Sequence, residues 1–206
     1  MNGIWYYVIA FIIICAFSLI FKNYLTEHGV EVEFPLLMWK TKRLRGFIDR
    51  IANKSKKFWK WYMNVGVVIS FGLMIFMAVA LIYSFTQISQ TVAVGFVIPG
   101  GDIPGSPIFI PFIYGILALI TVIIIHEFSH GILARVEDVK INSIGLLLFT
   151  VIPGAFVEPD EDEINELGKL SKLRIYAAGS MGNMVLAVVA VIIVLVLSSV
   201  FVPMIF

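Results

Sequence analysis

Two histidines and a glutamate stand in the middle of an apolar run, TVIIIHEFSHGILA, from Thr121 to Ala134. On an α-helix, residues four apart project from nearly the same face, so His126 and His130 reach toward one point, and Glu127 sits beside them. Two imidazoles at that spacing make a bidentate zinc site, and the adjacent carboxylate is placed to take a proton from an attacking water instead of binding the metal. This is the chemistry of hydrolysis: a zinc ion lowers the pKa of the water it holds to about 7 and polarises the scissile carbonyl. A lone histidine in an apolar helix is usually a hydrogen-bonded packing residue. Here three polar groups occur together, and a chance HExxH in a chain of this composition has an expectation on the order of 0.002. Ionisable groups inside a membrane segment are costly unless paired or facing water, so they are rarely passengers.

The elements that must carry this motif belong to a membrane protein. The chain has 206 residues, of which 60% are hydrophobic and 14% charged, and its mean hydropathy is +0.97. That profile leaves little soluble chain. A net charge of +1 gives no reason to expect nucleic acid as a partner. The single cysteine, Cys15, excludes an internal disulfide and a metal site built from cysteines. Apolar runs cover residues 3–21, 65–86, 111–134 and 173–206, each long enough to be a span, and no small-residue processing site precedes Lys22. The expectation is a mainly α, polytopic membrane protein with about four transmembrane helices. Its parts are a first helix (residues 1–21), a basic segment (22–64), a second helix (65–87), a Gly/Pro-rich outer loop (88–110) and a core (111–206).

Charge sets the orientation. Ten of the 15 Lys and Arg residues fall between residues 22 and 64, none between 88 and 110, and the remaining five between 135 and 174. Basic loops stay in the cytoplasm, so the amino terminus is expected outside and the HExxH motif toward the cytoplasmic end of its helix. The stretch KKFWKWY reads as interfacial, with Trp59, Trp61 and Tyr62 at headgroup level. Nucleic-acid binding would use similar residues, but beside a span the bilayer is the better partner. Residues 141–157, INSIGLLLFTVIPGAFV, are apolar and broken by Gly145 and Pro153-Gly154, which predicts strands of a membrane-associated β-hairpin packed on protein or lining a wet cavity. EPDEDEINE then returns the chain to water. It lacks the ligand spacing and central glycine of a calcium loop and reads as a solvated acidic face.

Three further motifs extend the pattern. GAFVEP (Gly154 to Pro159) follows the HEFSHG helix, AAGSMGN (Ala177 to Asn183) has the form G-x-x-x-N at Gly179 and Asn183, and PGGDIPGSPIFIP precedes HExxH. Together they resemble the site-2 protease family of intramembrane zinc metalloproteases, in its archaeal form, over about half of the chain. The resemblance implies zinc held by His126 and His130, Glu127 as catalytic base and acid, Asn183 and Gly179 in substrate binding, and a transmembrane protein as substrate. On the residues alone, hydrogen-bonding two helices together is the favoured role for Asn183, with Gly179, Ser180 and Gly182 allowing close approach, and the resemblance reverses that preference. The family completes its zinc site with an aspartate in a later N-P-D-G or L-D-G motif, and neither motif follows Asn183. Asp102 is expected on the opposite side of the membrane, and Asp160 and Asp162 lie in the acidic segment. The chain ends within an apolar run, so it is expected to be the amino-terminal part of a longer protein. The rival readings are a CAAX prenyl protease-like enzyme, which would need a downstream glutamate or histidine ligand although no histidine follows His130, and a non-catalytic membrane scaffold or metal-binding protein.

Overall fold

The computed structural model describes residues 4–33, 35–86, 98–101, 109–149 and 152–201. Most of the expected outer loop lies outside these residues. Helices α1 (Ile4–Ile20) and α2 (Lys22–Glu27) lead into strands β1 (Val30–Glu33) and β2 (Leu36–Thr41), followed by helices α3 (Arg45–Lys54), α4 (Lys56–Thr86) and α5 (Phe112–Val136). Strands β3 (Ile141–Phe149) and β4 (Ile152–Pro159), the short helix α6 (Glu161–Glu166) and the long helix α7 (Lys169–Phe201) complete the order.

Among the described residues three helices, α4, α5 and α7, are long and apolar enough to cross a membrane, where four were expected. The first apolar run does form a helix, but α1 has 17 residues and at 1.5 Å per residue reaches about 26 Å, short of the roughly 30 Å hydrocarbon layer. These three helices expose most of their apolar side chains, Phe76, Ile82, Val194 and Leu195 among them. Hydrocarbon is as good a solvent for these groups as a protein core, so nothing drives them inward.

The buried core sits at one end of the three helices. Met63 of α4, Leu133, Ala134 and Val136 of α5, and Ile175 and Ala178 of α7 meet there, fully or almost fully buried. A charged cluster ties the same three helices together. Glu137, just past the end of α5, has a side chain only 4% exposed, and Arg174 of α7, at 11%, donates to it from Nη1 at 2.8 Å. Lys60 of α4 lies 3.2 Å from the other carboxylate oxygen, and Arg174 Nε–H donates to Asn64 Oδ1 at 2.8 Å. The first turns of α4 and α7 and the last turn of α5 therefore share one end, and α5 runs antiparallel to its two neighbours. Helix α5 stops in a Schellman turn. Asp138 adopts a left-handed backbone (φ 67), its N–H donates to the Arg135 carbonyl at 3.2 Å, and Val139 N–H reaches the Ala134 carbonyl at 2.9 Å.

The expected hairpin is present as β3 and β4, but it is half of a larger structure. The four strands form one antiparallel sheet in the order β1-β2-β3-β4, with Leu36–Thr41 paired to Ile144–Phe149 and Phe149 opposite Ile152. The described residues of the basic segment 22–64 contribute α2, two strands, α3 and the first turns of α4. Its interfacial aromatics divide: Trp59 and Tyr62 pack against the core, with Trp59 Nε1–H donating to the Ile51 carbonyl at 3.1 Å, while Trp61 remains 64% exposed. The acidic stretch forms α6, capped by Asp160, whose carboxylate accepts from Glu163 N–H at 3.0 Å. Its Glu163 accepts from Lys140 N–H at 2.7 Å, so part of the acidic face is tied to the end of β3.

Candidate active site

His126, Glu127 and His130 lie roughly two to three turns before the end of α5, and all three are half-buried. The helical spacing does bring the histidines together: their Nε2 atoms are 3.2 Å apart. Each ring is held from its other nitrogen. His130 Nδ1–H donates to the Ile175 carbonyl of α7 at 2.7 Å, which leaves its Nε2 with a free lone pair. His126 Nδ1 lies 3.1 Å from Asn183 Nδ2, also on α7, and Oδ1 of the same amide is buried without a partner.

Gly179 faces the two rings. A Cβ built there would stand 2.5 Å from His126 Nε2 and 2.5 Å from His130 Nε2, so the missing side chain leaves a gap where the two nitrogens converge. Gly182, one turn on, lets the same face of α7 rest on Ser129 of α5. The small residues of AAGSMGN therefore set the distance between α5 and α7, and that distance creates the gap.

A metal fits this arrangement. Two nitrogens bound at about 2.0–2.1 Å to one tetrahedral zinc lie roughly 3.3 Å apart, close to the spacing found. Among the described residues no group of three or more His, Cys, Asp or Glu side chains could hold a metal ion; the pair presents two ring nitrogens.

Glu127 reaches the sheet. Its carboxylate accepts from Val157 N–H of β4 at 3.3 Å. It also lies in the walls of two cavities. One, about 660 Å³, is bounded by Trp39, Leu44, Phe128, Gly145 and Phe156; the other, about 520 Å³, by His130, Glu158, Asn165, Ile175 and Tyr176. Phe156 and Val157 border both. Among the described residues β4 is an edge strand, paired with β3 alone. Because Val157 N–H is turned outward and strand residues alternate, Ala155 presents its N–H and C=O outward too.

Residues 114–204 match the model of Peptidase family M50. Over these residues the chain is similar to that family, the site-2 protease family. An uncharacterized protein of the archaeon Methanocaldococcus jannaschii is 50% identical over 50 residues, a stretch that makes up 24% of this chain and 14% of that relative. The chain thus matches only a small part of the relative's length. No solved structure matches the chain. The M50 family is membrane-embedded and metallopeptidase in kind, in keeping with three apolar helices around an HExxH pair.

Two partners of the M50 motif were invisible in the residue pattern. The Ile175 carbonyl and the Val157 amide act through backbone, and no side-chain type announces them. The alternation in VEVE, apolar at Val30 and Val32, is the signal from which β1 could have been read.

Proposed function

We propose that this chain carries the catalytic centre of an intramembrane zinc metalloendopeptidase, which hydrolyses peptide bonds in transmembrane segments of other membrane proteins. One observation carries the reading: two Nε2 atoms converge on the gap at Gly179 while the adjacent Glu127 faces a sheet edge and two cavities.

His126 and His130 hold the ion, with a further ligand from elsewhere in the protein. The bound ion supplies a Lewis acid that makes water a nucleophile near neutral pH and polarises the carbonyl. Glu127 takes a proton from the attacking water as its oxygen bonds to the carbonyl carbon. It then delivers that proton to the amine nitrogen as the C–N bond breaks. A helical substrate hides its carbonyls in its own hydrogen bonds, so it must unwind locally before it is cut. The outward groups of Ala155 offer such an unwound segment a strand to pair with, beside Glu127. The cations Lys56, Lys60, Arg135 and Arg174 gather at the same end as the motif, and basic ends stay inside. The reaction accordingly takes place toward the cytoplasmic side of a multi-pass protein of the cell membrane.

The second reading is a membrane metal-binding protein without turnover, favoured by the two-histidine ligand set. Glu127→Gln separates the two. A protease with this substitution keeps its zinc and loses about 10²- to 10⁴-fold in cleavage rate of a transmembrane substrate reconstituted with it. If cleavage survives at the unaltered rate, or the unaltered protein cuts nothing while holding zinc, the hydrolytic reading fails.

A further inference from the structure

We propose that Asn183 is a positioning residue for His126, fixing which ring nitrogen carries hydrogen and thereby turning the Nε2 lone pair toward the metal. The inference rests on the reading of His126 and His130 as ligands, and goes beyond it by assigning the amide of α7 a partner inside the site instead of a place on the substrate.

Both Nε2 atoms must be free of hydrogen to bind an ion, so in each ring the hydrogen must sit on Nδ1 and find an acceptor. For His130 that acceptor is the Ile175 carbonyl, 2.7 Å away. A main-chain carbonyl can only accept, so this ring is locked. For His126 the neighbour at Nδ1 is the Asn183 amide, 3.1 Å away. An amide can present either end to the same neighbour by a half-turn about its last bond. With Nδ2 forward it donates to Nδ1, which places the hydrogen on Nε2; that hydrogen then points at the lone pair of His130 Nε2, 3.2 Å away, and shuts the site. With Oδ1 forward it accepts from Nδ1–H, and both lone pairs face the gap at Gly179. Oδ1 is buried and bonded to nothing else, so the half-turn sacrifices no hydrogen bond of the oxygen. Asn183 is therefore the one adjustable member of the pair of ring supports, and the metal-ready state is the one with its oxygen on His126.

The discriminating experiment measures zinc affinity by competition with a chromogenic chelator, on the full-length protein purified in detergent, together with thermal unfolding without zinc. Asn183→Asp keeps an acceptor and removes the donor; Asn183→Ala removes both. Loss of a ligand's hydrogen-bond partner typically lowers metal affinity about 10- to 100-fold. The expected result is a loss of that size in Asn183→Ala, affinity within about threefold of the unaltered protein in Asn183→Asp, and little difference between the two variants in unfolding temperature. Equal zinc affinity in Asn183→Ala overturns the proposal and returns Asn183 to substrate or helix packing. Equal losses in both variants overturn it as well, because an acceptor alone would then not suffice. Should Asn183→Ala not fold, Asn183→Asp decides alone, since a tenfold loss there refutes the acceptor role. His130→Ala is the control on the underlying reading: if it leaves zinc affinity unchanged, the ligand assignment fails first, a result distinct from any failure at Asn183.

Discussion

Glu127 and Gly179 show how little of the chemistry is stored in any one residue type. A glutamate in an apolar helix is useful here because Val157 N–H and two cavities lie beside it, and His130 lines one of those cavities with it. A glycine is useful because a side chain at its position would crowd both Nε2 atoms. Gly179→Ala is consequently expected to fold with a modest penalty and to lose metal. Overpacking costs about 1–3 kcal/mol, and since the methyl stands 2.5 Å from both nitrogens, the cost falls on zinc affinity as a loss of roughly tenfold or more. Chelator competition on the purified variant measures it, and unaltered affinity would mean that the ion does not sit in this gap. A serine at the same position should fare no better, because the obstruction is the Cβ itself.

Helix ends and strand edges carry the next layer of prediction. The Schellman turn after α5 sets the direction in which the chain leaves the motif helix for β3, and it depends on Asp138 in left-handed backbone. Aspartate tolerates that conformation and β-branched residues do not, so Asp138→Val is expected to destabilise the fold by about 1–2 kcal/mol, with Asp138→Gly close to neutral. Thermal unfolding in detergent ranks the pair; the reverse order would contradict the turn. On β4 the prediction concerns function alone. Proline at an edge position whose N–H faces away from the ladder leaves the pairing with β3 intact. Ala155→Pro should thus retain zinc and unfolding temperature while losing most cleavage of a transmembrane substrate. Full activity in that variant would remove strand pairing from the mechanism.

The three long apolar helices meet at one end, where a charged cluster joins them. Burial pushes the Glu137 carboxyl up, but Arg174, Ser171 and Lys60 more than compensate, and its pKa is held below the ordinary carboxylate value. A depressed folded-state value stabilises the fold at pH above the unfolded-state value near 4.3, and that contribution disappears as the pH falls through the folded value. Unfolding temperature should therefore drop on acidification below about pH 4.3, and the drop should be smaller in Glu137→Gln. Arg174→Met, which leaves Glu137 buried with less compensation, is expected to cost about 3–5 kcal/mol at neutral pH. An acid profile identical in Glu137→Gln and the unaltered protein would show that the cluster does not tie the helices.

What the chain's residues determined unaided was the part that depends on short-range periodicity. The spacing of His126 and His130, the apolar lengths of α4, α5 and α7, and the breakers that turn residues 141–157 into a hairpin are local properties, legible over a few residues. Tertiary structure decided what depends on distant segments meeting. It joined β2 to β3 across more than a hundred residues, brought α7 against the motif helix at the depth where Gly179 leaves a gap, and supplied His130 and Glu127 with backbone partners from Ile175 and Val157. Every main chain carries an N–H and a C=O, apart from proline's missing N–H, so only folding decides which of these identical groups faces a reactive side chain.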